Sequence, residues 1–520
     1  MDDQIRLLAR ILVDDGLQYA FGVTGSGSSL LLITELEALG VRYFPVFHES
    51  SGALMAGAVS RMTNKVSVSI SIKGPGLANM LPGIVSNHFE GSPSLSISEA
   101  YGAGAPSSRM HKRLDHGSLL SSVVKGVLSL DALERLPALL DTARAEVPGP
   151  VHLDLCERDP VDDRSQSSVT EGPSNIDPQL LEQAVGRVRG CQRPVLIVGS
   201  LTARRDWADR LSSLAVPVFS TVAAKGVLDE SLAHSAGVFT GDGKAQALET
   251  PLLAEADLVI GIGLRNTEIL SPAPFGKPLV LLDEVADLAQ GIDPEVSLTN
   301  SDMTTVATIL DELQTKSWGL EEIARLKVEL KEELLDGSWL PAACFAALND
   351  LDYPYSFTLD TGSFCTIGEH MWDATSARNF LASCNGRYMG TAIPTALGMA
   401  ICRKGRPTFC VTGDGGMGMY PSEIKLAIEQ RLPVCFVLMS DGLYGSVACA
   451  PTSSTRSSRA VTVPEPSWWE AIAAMGCDSH QVESTDAFEG VVQSWSRETP
   501  LFVEAVFDPT PYSEMTRWLR

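Results

Sequence analysis

The sequence predicts an α/β protein of three domains, each built on a parallel β-sheet. Apolar runs of strand length alternate with helical stretches along the chain, a pattern typical of parallel strands joined by crossover helices. The length of 520 residues fits about three domains, since a domain averages roughly 150 residues. Residues 159–178 are polar and rich in serine, proline and acids, so we expect a linker there.

The first domain is expected to span residues 1–160. Positions three and four apart lie on the same side of a helix, and the chain opens with such an apolar face, Ile5, Leu8, Ile11 and Leu12. Apolar and β-branched runs between the helical stretches predict strands at 19–23, 66–72, 95–97 and 151–155.

The second and third domains show the same alternation. The second is expected at residues 178–318, with apolar strands at 194–199, 217–219, 258–263 and 279–283. A charged helix at about 321–335 leads to the third domain, expected at 340–520. Its strands run from 357–360 to 501–506 and include the apolar stretch 433–439.

The composition argues against several classes of protein. A net charge of −24 disfavours nonspecific binding to nucleic acid or anionic membranes, because both require a basic surface. No apolar run approaches the roughly 18–20 residues of a membrane span, and the acidic opening Met1-Asp2-Asp3 does not resemble a signal peptide. The ten cysteines include no Cys-x-x-Cys pair. We therefore expect a reduced, cytoplasmic protein.

One segment of the third domain carries the clearest chemical signal. Gly413-Asp414-Gly415 ends one strand, and Asp441 follows the next strand, 433–439. Glycine lets backbone N–H groups approach a phosphate closely. Both acids reach the carboxyl edge of a parallel sheet, where open α/β sheets bind ligands. Because Mg²⁺ accepts carboxylate, carbonyl and phosphate oxygens, the segment predicts a diphosphate–Mg²⁺ site.

This segment resembles the thiamine diphosphate (ThDP) binding motif, Gly-Asp-Gly followed after a fixed span by Asn-Asn. The resemblance implies three metal ligands, namely Asp414, Asp441 and the carbonyl of Leu443. It also implies cofactor contacts from three glycines, Gly413, Gly415 and Gly416. The chain departs from the motif at Ser440-Asp441, which replaces Asn-Asn. Asp441 still offers an oxygen to Mg²⁺ but adds a negative charge beside the diphosphate.

Glu49 is the candidate for the acid that ThDP chemistry requires. The thiazolium C2 loses a proton to the cofactor's own imine, a tautomer favoured when a carboxylic acid hydrogen-bonds the far pyrimidine nitrogen. A glutamate in an apolar, water-poor place can hold that proton. Glu49 closes the apolar stretch 44–47 and opens a helix of small residues. The alternative is an acid that only stabilises a helix N-terminus.

The surrounding segments resemble the superfamily of ThDP enzymes that includes pyruvate oxidase, acetolactate synthase and the decarboxylases. His48-Glu49 and the small residues after it match one family segment, and three others follow in order at 72–79, 148–154 and 225–227. The chain is identified as a member of this superfamily. The resemblance implies three doubly wound parallel-sheet domains, which bind the pyrimidine, form the centre and bind the diphosphate.

The resemblance also implies how the cofactor is held. ThDP lies between the first domain of one subunit and the third of its partner, so Glu49 acts across the interface of a dimer or tetramer. Met389 corresponds to the bulky side chain that bends ThDP into a V shape, and Gly362 and Ser363 to diphosphate contacts. Arg387 lies where many relatives use a glycine carbonyl to hold the 4′-amino group.

The sequence defines the residues that bind the substrate less clearly than those that bind the cofactor. Ser26 matches the serine that binds the substrate carboxylate in benzoylformate decarboxylase, but that enzyme's catalytic histidine falls on Ile72. His111 and Lys112 replace the Phe and Gln that shape the acetolactate synthase substrate site. We favour His111 among four candidate proton carriers, His48, His111, His116 and His370. Four nearby cations suggest a second anionic group on the substrate, Lys73, Arg109, Lys112 and Arg113.

The resemblance implies an enzyme acting on a C–C bond beside a carbonyl. We expect a 2-oxo acid to lose CO₂ and form an enamine, which is ligated to a carbonyl acceptor as in acetolactate synthase. One alternative is a decarboxylase that protonates the enamine and releases an aldehyde. Another is a catalytically inactive, ThDP-binding regulatory subunit, although Glu49, Asp414 and Asp441 are retained. The missing decarboxylase histidines favour ligation.

Overall fold

The computed structural model describes residues 2–101, 112–156, 177–205, 207–241, 248–264, 268, 275–285, 293–299, 301, 303–449, 458–463 and 467–519. Its strands form three six-stranded sheets. Neighbouring strands within these sheets are parallel. The predicted fold class is confirmed, and the predicted domain boundaries stay predictions.

The first sheet has the strand order β2-β1-β3-β4-β6-β5. Its strands are β1 Tyr19–Gly22, β2 Arg42–Pro45, β3 Ser67–Ser71, β4 Ser94–Glu99, β5 Val127–Ser129 and β6 Val151–Leu155. The helices of this domain are α1 Asp2–Asp14, α2 Ser28–Ala38, α3 Glu49–Thr63, α4 Pro75–Phe89, α5 His116–Leu120 and α6 Leu136–Arg144. The chain crosses to opposite sides of β1, which opens a crevice at its carboxyl end.

The second sheet has the order β12-β11-β10-β7-β8-β9. Its strands are β7 Pro194–Val198, β8 Val218–Ser220, β9 Ser235–Val238, β10 Leu258–Ile262, β11 Leu279–Leu282 and β12 Val296–Leu298. The helices are α7 Pro178–Gly190, α8 Ser200–Arg205, α9 Ala208–Ser212, α10 Glu249–Glu255 and α11 Met303–Leu313. The charged helix expected at 321–335 is present as α12, Leu320–Leu334.

The third sheet has the order β14-β13-β15-β16-β18-β17. Its strands are β13 Ser356–Leu359, β14 Phe380–Ala382, β15 Thr408–Gly413, β16 Val434–Ser440, β17 Asp478–Val482 and β18 Leu501–Val506. Its helices are α13 Pro341–Asn349, α14 Ser363–Met371, α15 Ala392–Cys402, α16 Asp414–Met417, α17 Ile424–Glu429, α18 Gly445–Ala448, α19 Trp468–Ala474, α20 Thr485–Ser494 and α21 Pro509–Leu519. The crevice of this sheet opens between β13 and β15.

The strands that the sequence missed lie at sheet edges. β5, β9, β12, β14 and β17 each end a sheet, and they have only three to five residues. A short edge strand shows little periodicity because one of its sides has no partner strand. The apolar stretch before Glu49 also differs from expectation, because β2 ends at Pro45.

Helix α3 is the structural link between the first and third domains. All its residues from Glu49 to Ser60 are buried, because it packs between α4 and α15. A Cβ on Gly398 of α15 would lie 2.8 Å from the Met55 carbonyl oxygen, so the two helices approach backbone to backbone. The alanines, serines and glycines of α3 are explained by this close packing.

Replacing Gly57 by alanine should destabilise the protein by about 1–3 kcal/mol. A Cβ at Gly57 would overlap the Asn87 amide, which is buried and donates to the Ala53 carbonyl at 2.8 Å and the Ser94 hydroxyl at 3.1 Å. The measurement is the midpoint of urea unfolding. Gly490→Ala in α20 is the control, because a Cβ there meets nothing within 4 Å. Equal midpoints for both variants would contradict this account.

The described part of the chain contains no helix that is both long and apolar enough to cross a membrane. None of the ten cysteines forms a disulfide, and eight of them are buried. The cysteines therefore serve as core residues, as expected from their spacing.

Candidate active site

The carboxyl ends of β15 and β16 bring two acidic residues together. The strands are paired in parallel register, so Asp414 and Asp441 follow the same edge of the sheet. Asp414 Oδ2 accepts the N–H groups of Asp441 and Gly442 at 2.9 Å each, and Oδ1 accepts the Ser440 hydroxyl at 2.9 Å. The Asp414 carboxylate therefore organises the turn that carries Asp441.

The electrostatics of this turn fit a divalent cation. Burial, and then the neighbouring charge of Asp414, raise the pKa of Asp441 to about 7. Burial also raises the pKa of Asp414, against hydrogen bonds that lower it. A divalent cation would relieve the repulsion between two such carboxyl groups, whose oxygens are ligands that Mg²⁺ prefers. Leu443, the expected carbonyl ligand, donates its N–H to Asp441 Oδ1 at 3.1 Å.

Helix ends that suit a diphosphate converge beside this turn. Helices α14, α16 and α18 begin at Ser363, Asp414 and Gly445, and helix N-termini offer N–H groups to anions. The Ser363 hydroxyl is buried and has no hydrogen-bond partner among the described residues. A Cβ on Gly445 would overlap that hydroxyl, so the two helix ends meet there. A bound diphosphate would satisfy this buried hydroxyl.

Met389 lies against the glycine turn, and its role in shaping ThDP stays a prediction. A Cβ on Gly415 would lie 2.7 Å from the Met389 sulfur and 2.7 Å from the Tyr444 ring. A side chain at position 415 would therefore displace the residue expected to shape ThDP. Gly416 is constrained too, because a Cβ there would overlap the Asp360 carboxylate.

Packing alone explains two other glycines of the predicted set. A Cβ on Gly413 would lie 2.7 Å from the Phe364 ring, and one on Gly362 would overlap the same ring. Phe364 is a core residue with 2% exposure. Both positions therefore need glycine whether or not a ligand is bound, and their role as diphosphate contacts stays a prediction.

Asp360 belongs to the site although the sequence did not single it out. Its carboxylate is buried and accepts the Gly390 N–H at 2.8 Å, the Thr361 N–H at 2.9 Å and the Thr412 hydroxyl at 2.7 Å. Burial raises the pKa of Asp360 to about 6, against these hydrogen bonds. Asp360 therefore ties the loop that carries Met389 to the ends of β13 and β15. Its position directly after an apolar strand was the available signal.

The side chain of Arg387 accounts for its departure from the family pattern. Its backbone is left-handed, with φ of 48°, a region that glycine adopts at little cost. Its Nη1 lies 3.4 Å from Glu369 Oε1 and 3.6 Å from the Cys365 sulfur. Glu369 is only 3% exposed. Arg387 thus neutralises a buried charge on α14, which a glycine cannot do.

Glu49 is the first residue of α3 and is only 8% exposed. His48 caps this helix, since its Nδ1 accepts the Ser50 N–H at 3.2 Å. Asn79 on α4 donates its side-chain N–H to Glu49 Oε2 at 3.2 Å, a contact that sequence reasoning missed. Among the described residues, the hydrogen bonds of Glu49 and Asp414 stay within their own domains. These bonds therefore do not join the two halves of the site.

The loop after β1 and the loop after β3 form one surface at the carboxyl ends of these strands, which we call the wall of the first domain. Ser26 is exposed in the loop after β1. A Cβ on the preceding Gly25 would lie 2.5 Å from the Ile72 side chain, so the loops after β1 and β3 touch. The structure therefore places Ser26 near the position where benzoylformate decarboxylase, by resemblance, has its histidine. Here that position is apolar.

Lys73, next to this wall, has its charge paired within the chain. Glu99 Oε2 accepts the Lys73 ammonium at 3.0 Å, while Oε1 accepts the Ser29 N–H at 3.1 Å and hydroxyl at 2.7 Å. Burial acts to raise the pKa of Glu99, but the bonds from Ser29 and Lys73 hold it below its usual range. Lys73 is therefore a weaker candidate for binding a second substrate anion than its sequence position indicated.

The structure gives a different result for each of the predicted proton carriers. His111, the favoured one, and Arg109 lie outside the described residues. Burial lowers the pKa of His370 to about 4, so this side chain is neutral at pH 7. His48 is exposed and caps α3.

His116 lies in a buried network that holds two loops together. Its Nδ1 is 2.6 Å from Asp154 Oδ1, and its Nε2 accepts the Gly74 N–H at 3.4 Å. His152 Nε2 is 3.1 Å from the same Asp154 oxygen. Burial acts to raise the pKa of Asp154, but the two histidines hold it well below its usual range. A Cβ on Gly74 would overlap the Lys112 carbonyl, so the backbone of the exposed Lys112 lies directly against Gly74.

The fold and the site together define a class of protein. A glycine turn with two acids lies on the third parallel sheet, and a buried glutamate begins a helix on the first, as the resemblance to ThDP-dependent enzymes implies. Residues 4–119, 181–286 and 360–505 match, in order, the N-terminal TPP binding domain, the central domain and the C-terminal TPP binding domain of thiamine pyrophosphate enzymes. The chain belongs to this enzyme family, whose cofactor is ThDP.

The relatives are similar over nearly their whole length. The acetolactate synthase of Bacillus subtilis is 23% identical over 98% of this chain and 93% of its own. The catabolic acetolactate synthase of Raoultella terrigena is 23% identical over 94% and 92% of the two chains. A probable 2-ketoarginine decarboxylase of Pseudomonas aeruginosa is 24% identical over 93% and 90%. The chain is thus similar both to synthases and to a decarboxylase.

Proposed function

We propose that this protein is a ThDP- and Mg²⁺-dependent carboligase, which decarboxylates a 2-oxo acid and joins the remaining fragment to a carbonyl acceptor. The observation that carries the proposal is the turn of Asp414 and Asp441, beside the buried Ser363 hydroxyl, which has no hydrogen-bond partner in the part of the chain that the structure describes. These residues fit Mg²⁺ and a diphosphate. The acetolactate synthases that resemble the chain over almost its whole length support ligation.

Each residue has a defined part in this proposal. Bound ThDP supplies the carbanion that attacks the 2-oxo group. Asp414, Asp441 and the Leu443 carbonyl hold Mg²⁺. The Ser363 hydroxyl and the N–H groups after Gly415 bind the diphosphate, while Met389 shapes the cofactor. Glu49 hydrogen-bonds the pyrimidine nitrogen and keeps a proton there. The backbone carbonyl of Arg387 accepts a hydrogen bond from the 4′-amino group of the cofactor.

A second copy of the chain completes the site in this proposal. Three large apolar side chains beside the two half-sites are exposed, Phe47 at 55%, Met419 at 48% and Phe89 at 42%. Phe47 is two residues from Glu49, and Met419 contacts the loop of Met389, since a Cβ on Gly390 would lie 2.5 Å from it. Exposed apolar side chains grouped around a functional site are typical of an interface. A dimer or tetramer would cover them.

The wall of the first domain favours ligation over simple decarboxylation. An acid positioned next to the reacting carbon would protonate it and release an aldehyde. Ile72 offers no proton, and Lys73 is engaged by Glu99. The apolar Ile72 side chain would keep water from this part of the wall, which leaves time for a carbonyl acceptor to react. The decarboxylase relative keeps aldehyde release as the second candidate.

The deciding experiment incubates the purified protein with ThDP, Mg²⁺ and a panel of 2-oxo acids, with and without aldehyde acceptors, and follows CO₂ and products by NMR. A 2-hydroxy ketone whose formation requires the acceptor supports the proposal. Aldehyde from a single acid identifies a decarboxylase. Tight ThDP binding without CO₂ from any mixture points either to a donor that is not decarboxylated or to the inactive regulatory subunit.

Lys112→Ala tests the expected second substrate anion. If the exposed Lys112 ammonium contacts such a group, KM for a dianionic 2-oxo acid should rise about two- to fivefold, as for an exposed ion pair. KM for pyruvate should stay the same. Lys404→Ala, an exposed lysine of the third domain, is the control. Unchanged KM values for every substrate would remove Lys112 from the site.

A further inference from the structure

Glu423 is a fully buried acid of the third domain that contacts the first. It ends the 3₁₀ turn Pro421–Glu423, which follows α16 and its Asp414, and it is 0% exposed. Its Oε1 accepts the N–H groups of Phe47 and His48 at 3.1 Å each. These are the two residues directly before Glu49.

These two hydrogen bonds provide an acceptor for N–H groups that have no partner within helix α3. The N–H groups before and within the first turn of a helix have no partner in that helix. Glu423 binds two of them, and the Tyr420 hydroxyl of the same segment lies 2.9 Å from the Ser50 hydroxyl. Residues on both sides of Glu49 are thus held from the third domain. These contacts constrain the direction in which the chain enters α3.

We propose that Glu423 is a positioning residue for Glu49, which fixes the start of α3 so that the Glu49 carboxyl meets the cofactor's pyrimidine nitrogen. The catalytic part of this inference rests on the proposed function of Glu49. The other Glu423 oxygen, Oε2, is buried and unpartnered among the described residues. An apolar side chain would avoid that unsatisfied oxygen but would leave both N–H groups without an acceptor.

The ionisation of Glu423 gives a second readout. Burial raises the pKa of Glu423 to about 7, against the nearby Ser51 hydroxyl and the hydrogen bonds from the two backbone N–H groups, which lower it. The ionised carboxylate is the stronger acceptor, so the contact weakens as the pH falls below about 7. The other titratable groups on the two segments that meet here are His48 and Glu49 on α3, and Tyr420. Glutamine keeps one acceptor oxygen and does not titrate.

The experiment compares the full-length Glu423→Ala and Glu423→Gln variants with Glu429→Ala, an exposed glutamate of the next helix. Deuterium exchange at C2 of bound ThDP reports Glu49 without requiring a known substrate. Exchange in Glu423→Ala should slow at least about tenfold while the ThDP Kd changes less than about threefold. Glu423→Gln should exchange at a rate that no longer falls below pH 7. Glu429→Ala should match the wild type.

Hydrogen exchange of backbone amides, followed by mass spectrometry, tests the contact without ThDP. The peptide containing Phe47 and His48 should lose protection in Glu423→Ala and keep it in Glu423→Gln. Wild-type C2 exchange together with wild-type amide protection in Glu423→Ala would overturn the inference. If Glu423→Ala does not fold, the pH profile of Glu423→Gln decides, and an unaltered fall below pH 7 would overturn it. Absence of C2 exchange in the wild type would instead refute the proposed function.

Discussion

Replacing Glu49 by glutamine is expected to lower kcat about 10²–10⁴-fold, the range that proton transfer by a positioned side chain contributes. The amide keeps the size of the side chain and the bond from Asn79, but it cannot hold the proton on the pyrimidine nitrogen. ThDP binding should remain, because the diphosphate and metal residues lie on the third domain. The measurements are steady-state turnover and ThDP affinity. Glu37→Gln, an exposed acid of α2, is the control.

The same variant tests whether the site is shared between subunits. Glu49→Gln and Asp414→Ala should each be inactive alone. A mixed dimer carries one site with both changes and one intact site. Random exchange makes about half of the dimers mixed, so the mixture should recover about a quarter of wild-type activity. No recovery after subunit exchange would show that each chain builds its own site, and full activity of Glu49→Gln would remove Glu49 from the mechanism.

Asp414→Ala is expected to weaken ThDP–Mg²⁺ binding by at least about a hundredfold, since even residues behind the metal ligands cost up to that amount. The change removes a proposed Mg²⁺ ligand together with three hydrogen bonds that organise the Ser440–Gly442 turn. Asp441→Asn should behave differently. Its amide oxygen can still bind Mg²⁺, and the repulsion from Asp414, which adds to burial in raising the pKa of Asp441 to about 7, is removed. Cofactor binding should be equal or tighter.

Thermal shift on adding ThDP, with and without Mg²⁺, measures both effects. The wild type should gain stability only with both ligands present, and chelation by EDTA should remove the gain. Asp352→Asn, an exposed acid of the third domain, is the control. A large loss of cofactor binding in Asp441→Asn would contradict the assigned roles of the two acids. A normal shift in Asp414→Ala would place the metal elsewhere.

The residues of the candidate site could be predicted from the sequence because each part of it is local. Asp414 and Asp441 each follow an apolar strand within a few residues, and Glu49 begins a helix of small residues. Strand ends of a parallel sheet meet at one edge, so local order is enough to place such residues together. Ser363 and Met389 were predicted from family resemblance alone. Among the described residues the Ser363 hydroxyl has no hydrogen-bond partner, and Met389 lies against the glycine turn.

The sequence by itself determined the three parallel-sheet domains, the acidic turn and the helix-start glutamate. Only the tertiary structure decided which charges are already paired. Lys73 with Glu99, Arg387 with Glu369 and Glu423 with the start of α3 join residues that are from 18 to 376 positions apart. Periodicity and turn signals describe neighbours within one element, whereas these pairs depend on how sheets and domains pack. Burial also raises the pKa of Glu423 to about 7, because the charged form loses water on packing.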